Sequence, residues 1–281
     1  MIGNGSIDPD AMRDFGANVR FGTAADDYAT HRAGFPRAFF DRLVDMGLGG
    51  GRALDIGAGT GTVARGLARA GATVTALDPD AALLAKAEKL ATAEGLTVHH
   101  ITGRAEALPF PDKSFDLAVA GQCWHWFDRP RAAAEVARVL RPGGALVVAH
   151  FDWLPMAGTL VAATEALILR YNPKWPGGGG TGLYPAWLAD LAGAGLLDLR
   201  TFSFDVAQRY SADAWRGRIR ASAGVAASLD ADALAAFDRD LQALMARDFP
   251  NDMHHFAHRC WAALGTRAPG QIVWAGAAQP G

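Results

Sequence analysis

The sequence predicts an α/β fold, a mostly parallel sheet with helices on both faces, and three observations carry that expectation. From Gly51 onwards, short apolar runs alternate with amphipathic stretches at helical spacing. A glycine-rich turn, "LDIGAGTG", joins the first strand to the first helix of that series. No run approaches the roughly 20 uninterrupted apolar residues that a membrane span needs. The 281 residues suit one such domain with insertions, and no repeat or composition break marks a second.

Taken in order, the first fifty residues read as helices. "TAADDYATHRAG" carries a Thr23 cap and early acidic residues; in "FPRAFFDRLVDMGLGGG", Pro36 starts a helix with Phe39, Phe40, Leu43 and Val44 on one face. "RALDIG" is a strand, "TVARGLARAG" a helix with Val63 and Leu67 inward, and "ATVTALD" a strand. "PDAALLAKAEKLATAEG" is a helix directing Leu83, Leu84, Ala87, Leu90 and Ala91 inward. Strands "TVHHI" and "FDLAVAG", helix "RPRAAAEVARVL", turn "RPGG" and strand "ALVVAHF" repeat the theme.

After Trp153 the rhythm changes. "GTLVAATEALILRYN" reads as a helix, "PKWPGGGGTGLYP" as a loop, "AWLADLAGAG" as a helix and "LLDLRTFSFDVAQRY" as a strand. Two helices follow, "SADAWRGRIRASAG" and "SLDADALAAFDRDLQALMARDF". The second puts Leu234, Phe237, Leu241, Leu244 and Met245 on one face, with Ser228 or Asp230 as its cap. "HRCWAALGTR" is the expected last strand, and the tail, 266–281, has turn composition and is expected to be mobile.

Composition narrows the partners. There are 27 basic and 29 acidic residues, a net charge of −2, and no basic block long enough to follow a phosphate backbone, so no nucleic acid is expected. Arg216, Arg218 and Arg220 read as a solvated helix edge; facing inward, they would favour an acidic substrate. The start, "MIGNGSIDPDAMRDFG", has neither a basic cluster nor an apolar run, so no membrane partner is expected and the cytoplasm is the expected compartment. Cys123 and Cys260 are too few for a disulfide framework or a zinc site. His254, His255 and His258 lack a carboxylate or cysteine in a ligand pattern, so no metal is expected.

The glycine turn is the most informative stretch. Gly57, Gly59 and Gly61 give G-x-G-x-G, whereas a dinucleotide fingerprint wants a further glycine where Thr62 stands. Asp55, two residues before Gly57, would repel a pyrophosphate on the helix N-terminus and attract the ammonium of an amino acid. S-adenosylmethionine carries that ammonium and no phosphate. Asp78, ending the second strand, can accept ribose hydroxyls or cap the next helix, a task open to Asp80 as well.

"LDIGAGTG", "ALDPD", "GRAEALPFPDKSFDLAVAGQCWHWFD" and "EVARVLRPGG", in that order over roughly residues 20 to 153, resemble the motifs of class I S-adenosylmethionine-dependent methyltransferases. The resemblance is nearest the small-molecule type 11 group that includes trans-aconitate methyltransferase-like enzymes. It implies a Rossmann-like, doubly wound sheet with an antiparallel last strand and helical insertions, a three-layer sandwich. It also implies S-adenosylmethionine as cofactor, S-adenosylhomocysteine as product and a small-molecule acceptor. One methyltransferase domain, 1–281, would then comprise a helical cofactor cover (1–50), a cofactor-binding core (51–153) and a substrate-side lid with the last strands (154–265).

By the same resemblance, Gly57, Gly59 and Gly61 would pass under the methionine part and Asp55 would sit near its ammonium. Asp78 with Pro79 would hold the ribose, Ala105 and Glu106 would lie beside the adenine, and Gln122 and His125 would line the sulfonium region. Tyr28 and Arg32, in "YATHR", would cover the carboxylate end.

Methyl transfer asks for alignment and exclusion of water, with a base only when the nucleophile must lose a proton. Candidate bases stand at strand ends: His125 after the fourth strand, and His150 and Asp152 on the fifth. Of Trp153, Trp175 and Trp187, one is expected to line the pocket, and Gly177 to Gly180 form either a lid hinge or a solvent loop. Two other readings stay open, an NAD(P)-dependent oxidoreductase and a non-catalytic S-adenosylmethionine-binding protein. Monomer and homodimer are not distinguished.

Overall fold

A computed structural model describes residues 34–222, 224, 225 and 228–269. The expected helix around Thr23 and the end of the tail lie outside the described residues. Pro36, at φ −66°, precedes α1 (Arg37–Asp45), which buries Phe39, Phe40 and Leu43. Val44, expected on the same face, is 47% exposed. It sits at the edge of the stripe, where the loop at Gly49 packs on it instead of the sheet.

The alternation then runs β1 (Arg52–Ile56), α2 (Thr62–Arg69), β2 (Thr73–Asp78), α3 (Ala81–Ala93), β3 (Val98–Thr102), β4 (Phe115–Gly121), α4 (Arg129–Val139) and β5 (Leu140–Trp153). In α3, Leu84, Ala87 and Ala91 are buried, while Leu83 and Leu90 are only partly covered. The expected "RPGG" turn belongs to β5 itself. Pairing passes from Phe115 with Leu140 to Leu117 with Ala145, so Arg141 to Gly144 form an irregularity that Gly143, at φ +81°, can accommodate.

Beyond β5 come α5 (Leu160–Tyr171), α6 (Trp187–Gly193), β6 (Leu196–Ser211), α7 (Ala212–Arg220), α8 (Ala231–Asp248) and β7 (Met253–Arg267). Thr159, Ser211 and Asp230 cap α5, α7 and α8 with their side-chain oxygens. The seven strands are ordered β3-β2-β1-β4-β5-β7-β6, parallel from β3 to β5, with β7 antiparallel to both neighbours. The last strand starts five residues earlier than expected, because 253–257 pair with 207–211 of β6 past the end of β5.

Two apolar clusters fill the faces of this sheet, one around Leu54, Trp124, Val136 and Trp187, the other around Phe39, Val63, Leu67 and Val147. These are the layers of a doubly wound, Rossmann-like sandwich. A third cluster joins Leu160, Trp215, Phe237 and Leu241 of α5, α7 and α8 to Tyr210 and Phe256 on the projecting end of the antiparallel β6–β7 pair. Since β7 runs against β5, that end projects beyond the carboxyl ends of the parallel strands, where such sheets bind their ligands. No helix among the described residues is long and apolar enough to cross a membrane.

Candidate active site

The strand order reverses between β1 and β4, which opens a crevice where Gly57 follows β1 and Gln122 follows β4. Gly57, Gly59 and Gly61 all have positive φ, at 66°, 53° and 75°. A side chain at Gly57 would strike Cys123 at 2.9 Å, so the turns after β1 and β4 pack directly together. At Gly59 a Cβ would meet no atom within 4 Å: the crest of the turn is open, with room for a ligand to approach the backbone.

Both aspartates brace this turn. Asp78 Oδ2 accepts the Gly59 N–H at 2.8 Å and Oδ1 accepts that of Asp80 at 2.9 Å, while burial raises its pKa. Asp80 caps α3 through the N–H groups of Ala82 and Leu83, and Pro79 between them is exposed. Asp55 does not project freely into the crevice. It is 1% exposed and its Oδ2 accepts the Ala64 N–H in the first turn of α2, at 2.8 Å. Burial drives its pKa up to about 8; Asp78 pushes the same way, while the Ala64 bond and Arg65 oppose.

In the turn after β3, Ala105 is buried and Glu106 accepts the Asp128 N–H at 3.1 Å, tying that turn to the start of α4. Arg104, Glu106, Ala107, Trp126, Asp128 and Arg131 line a cavity of about 440 Å³ there. Gln122 takes left-handed φ, +60°, and donates from Nε2 to the Phe151 carbonyl at 2.6 Å. Its side chain therefore secures the turn to β5. Tyr28 and Arg32 lie outside the described residues.

The candidate bases meet in one chain of contacts. His150 and Asp152, two apart on β5, share a face, and His150 Nδ1 lies 2.9 Å from Asp152 Oδ2. His150 Nε2 lies 3.2 Å from Nδ1 of His125, in the short helical turn Trp124–Trp126. Tyr184 Oη donates to Asp152 Oδ2 at 2.5 Å and its ring stacks on Trp187 at 4.2 Å. Burial alone would raise the Asp152 pKa. His150, Tyr184 and His125 outweigh it and hold the carboxyl at about 2, whereas burial and Asp152 push the Tyr184 phenol well above its usual value.

Nothing in the sequence spacing marks Tyr184; its one cue is its place in "TGLYP", just past the glycine loop. That loop is tied down, since Glu165 on α5 accepts the Gly179 N–H at 2.7 Å and the Trp153 indole N–H at 2.6 Å. Of the three tryptophans, Trp187 lies against His150 at 5.2 Å, Trp153 lies under the Arg218 guanidinium at 4.8 Å, and Trp175 packs beneath Gly177 and Gly224. Arg216 and Arg220, expected as a solvated edge, instead both pair with Asp238 on α8. His254 and His258 are buried on the inner face of β7 and His255 is exposed; no described group of three or more His, Cys, Asp or Glu is placed to hold a metal.

Residues 54–148 match the family described as methyltransferase domain. That segment belongs to this family. The chain is 40% identical over 129 residues to a Mycobacterium tuberculosis H37Rv protein named an uncharacterized methyltransferase, covering 46% of this chain and 51% of that one. It is 42% identical over 125 residues to a demethylmenaquinone methyltransferase of Renibacterium salmoninarum, covering 44% and 51%. The chain thus spans about half the length of the curated relatives it matches.

Structural likeness reaches further than the methyltransferase domain. A solved structure described as a putative type II methyltransferase from Anaeromyxobacter dehalogenans superposes with TM-score 0.59 and 26% identity over 85% of this chain and 99% of that one. The Haemonchus contortus phosphoethanolamine N-methyltransferase 2, solved with phosphomonomethylethanolamine and S-adenosylhomocysteine, shares the fold at TM-score 0.52 and 19% identity, covering 92% and 60%.

Proposed function

We infer that the chain transfers a methyl group from S-adenosylmethionine to an O, N or C atom of a small-molecule acceptor. The observation that carries this reading is the open glycine crest at Gly59, braced by Asp78, within a segment of the methyltransferase family. The residues present fit the cofactor: the open backbone at Gly59 and the Asp78 carboxyl suit an amino acid and a ribose, and an arriving ammonium would favour ionisation of buried Asp55, which a pyrophosphate would not. Neither the oxidoreductase nor the non-catalytic alternative gains support from the two relatives described above, which carry methyltransferase names.

Bound here, S-adenosylmethionine supplies a methyl group activated by a sulfonium. The chain's task is to position it. Gly57, Gly59 and Gly61 let the backbone run beneath the methionine part, and Asp55 lies on the side of its ammonium. Asp78 and Pro79 bound the ribose, Ala105 and Glu106 the adenine cavity, and Gln122 and His125 the approach to the reacting carbon. The α5, α7 and α8 cluster, in 154–265, excludes water over the crevice and selects the acceptor. Nucleic acids and membranes are not substrates in this reading, and the buried thiols Cys123 and Cys260 suit the cytoplasm.

Calorimetric titration with S-adenosylhomocysteine tests the donor half. Saturable binding, weakened at least tenfold by Asp78→Ala and absent with NADH, is expected; NADH binding without S-adenosylhomocysteine binding overturns it. Failure of S-adenosylhomocysteine to accumulate with any acceptor would favour the non-catalytic reading.

A further inference from the structure

Building on that function, and resting on it, we propose that Arg65, held by Glu94, is a positioning residue that clamps the Thr60 carbonyl, so that the glycine turn is set for the cofactor before the cofactor arrives. Arg65 ends the first turn of α2, and its Nη1 donates to the Thr60 carbonyl at 2.6 Å. Its Nε lies 3.1 Å from Oε1 of Glu94, which caps the C-terminus of α3. One guanidinium therefore joins the backbone of the turn to the neighbouring helix. The planar fork of arginine permits this double contact, whereas the point charge of a lysine would serve one partner at a time.

The turn needs such support. Gly57, Gly59 and Gly61, all at positive φ, are the residue type with most conformational freedom to lose, and a ligand that had to order them on arrival would bind more weakly. The Leu77 carbonyl accepts the Gly57 and Ala58 N–H groups at 2.8 and 3.0 Å, Asp78 holds Gly59, and the Ala58 carbonyl accepts the Gly61 N–H at 2.8 Å. These bonds tie the first half of the turn to β2 and close the second half on itself; Arg65 adds the tie from the second half to α3. The fit is close. A Cβ at Gly61 would lie 3.0 Å from the Ala87 Cβ of α3 and 3.4 Å from Arg65 Nη1.

Burial separates this contact from a surface ion pair. The Arg65 side chain is 11% exposed; burial lowers its pKa and Arg69 adds to that, while Glu94 and Asp55 oppose. The same charge opposes the rise in the Asp55 pKa, so Arg65 acts on both the backbone of the turn and the carboxyl beside it. Arg69 supplies the comparison. It also pairs with Glu94, but its side chain is 56% exposed and that contact does not reach the turn. A plain tie between α2 and α3 would run through either arginine, whereas the clamp runs through Arg65 alone.

The test uses the full chain, with calorimetry against S-adenosylhomocysteine for the ligand and amide hydrogen exchange of the ligand-free protein for the turn. Arg65→Met is expected to weaken S-adenosylhomocysteine about tenfold or more and to speed exchange at the Gly59 and Gly61 amides by a similar factor, with the β1 amides unchanged. Arg65→Lys is expected to recover part of both losses, and Glu94→Gln to fall between Arg65→Met and the parent. Arg69→Met is expected to stay within about twofold of the parent, because an exposed ion pair contributes little. Unchanged affinity or unchanged exchange in Arg65→Met overturns the clamp, and so does an equal loss in Arg69→Met. Should Arg65→Met fail to fold, Glu94→Gln is read by the same criteria. A parent protein that does not bind S-adenosylhomocysteine sinks the donor reading, while normal binding by the parent and by Arg65→Met alike sinks the clamp alone.

Discussion

Replacing Asp55 by Asn isolates a proton that the fold holds against its chemistry. The carboxyl titrates at about 8 in the native protein against an ordinary 3.8, chiefly because it is buried. A raised carboxylate pKa means that the native state binds more protons than the unfolded chain between those values. Stability is therefore lost as pH climbs from about 4 to about 8, with no contribution below that window. Some 4 units at ~1.4 kcal/mol each set a ceiling on the order of 5 kcal/mol. Asn keeps an oxygen for the Ala64 N–H and has no charge to bury. Urea unfolding of both proteins from pH 4.5 to 8.5 should show Asp55→Asn gaining on the parent by up to ~1.4 kcal/mol per pH unit, several kcal/mol in all. Stability curves that run parallel across this range would mean that Asp55 is ionised in the native protein, and the account of its burial would fail.

The same proton couples to the ligand. At pH 7 a group titrating at about 8 is ~90% protonated, so arrival of an ammonium should expel close to one proton per S-adenosylhomocysteine. Calorimetry in two buffers of different ionisation enthalpy reads this, and the buffer dependence should vanish in Asp55→Asn. Gly59→Ala, at φ +53° with open space beyond, should cost about 1–2 kcal/mol of stability yet weaken S-adenosylhomocysteine at least tenfold; unchanged binding would place the ligand elsewhere. Trp215→Ala, fully buried in the third cluster, should lose about 3–5 kcal/mol. Retained S-adenosylhomocysteine binding would show that the third cluster and the glycine turn are separable.

The core was legible because its signals are local. The period of α2 and α3, the glycines of the first turn and the caps at Asp80 and Asp230 each speak within a few residues. Where neighbours distant in sequence decide, local reading stops. Val44 is on the right helix but beyond the sheet's reach, and "HHFAH" is a strand only because β6 lies alongside. His125, His150 and Asp152 stand out one by one as polar groups at strand ends. That they join, with Tyr184 arriving from 32 residues away, depends on the packing of the segment before α6 against β5. Asp55 shows the converse: its position before the glycines is evident, but its burial and its bond to Ala64 arise from the closeness of α2.

The placement of β7 between β5 and β6 bears on how the chain is made. β5 is paired along 145–153 with residues 258–266, so the segment that matches the family ends with one flank of its sheet unsatisfied. During synthesis that flank stays open for more than a hundred residues, a ready template for another strand. A ribosome-bound chain stopped short of residue 253 would therefore be the species most in need of a chaperone, and the segment that matches the family reaches its final form only after β7 has been translated.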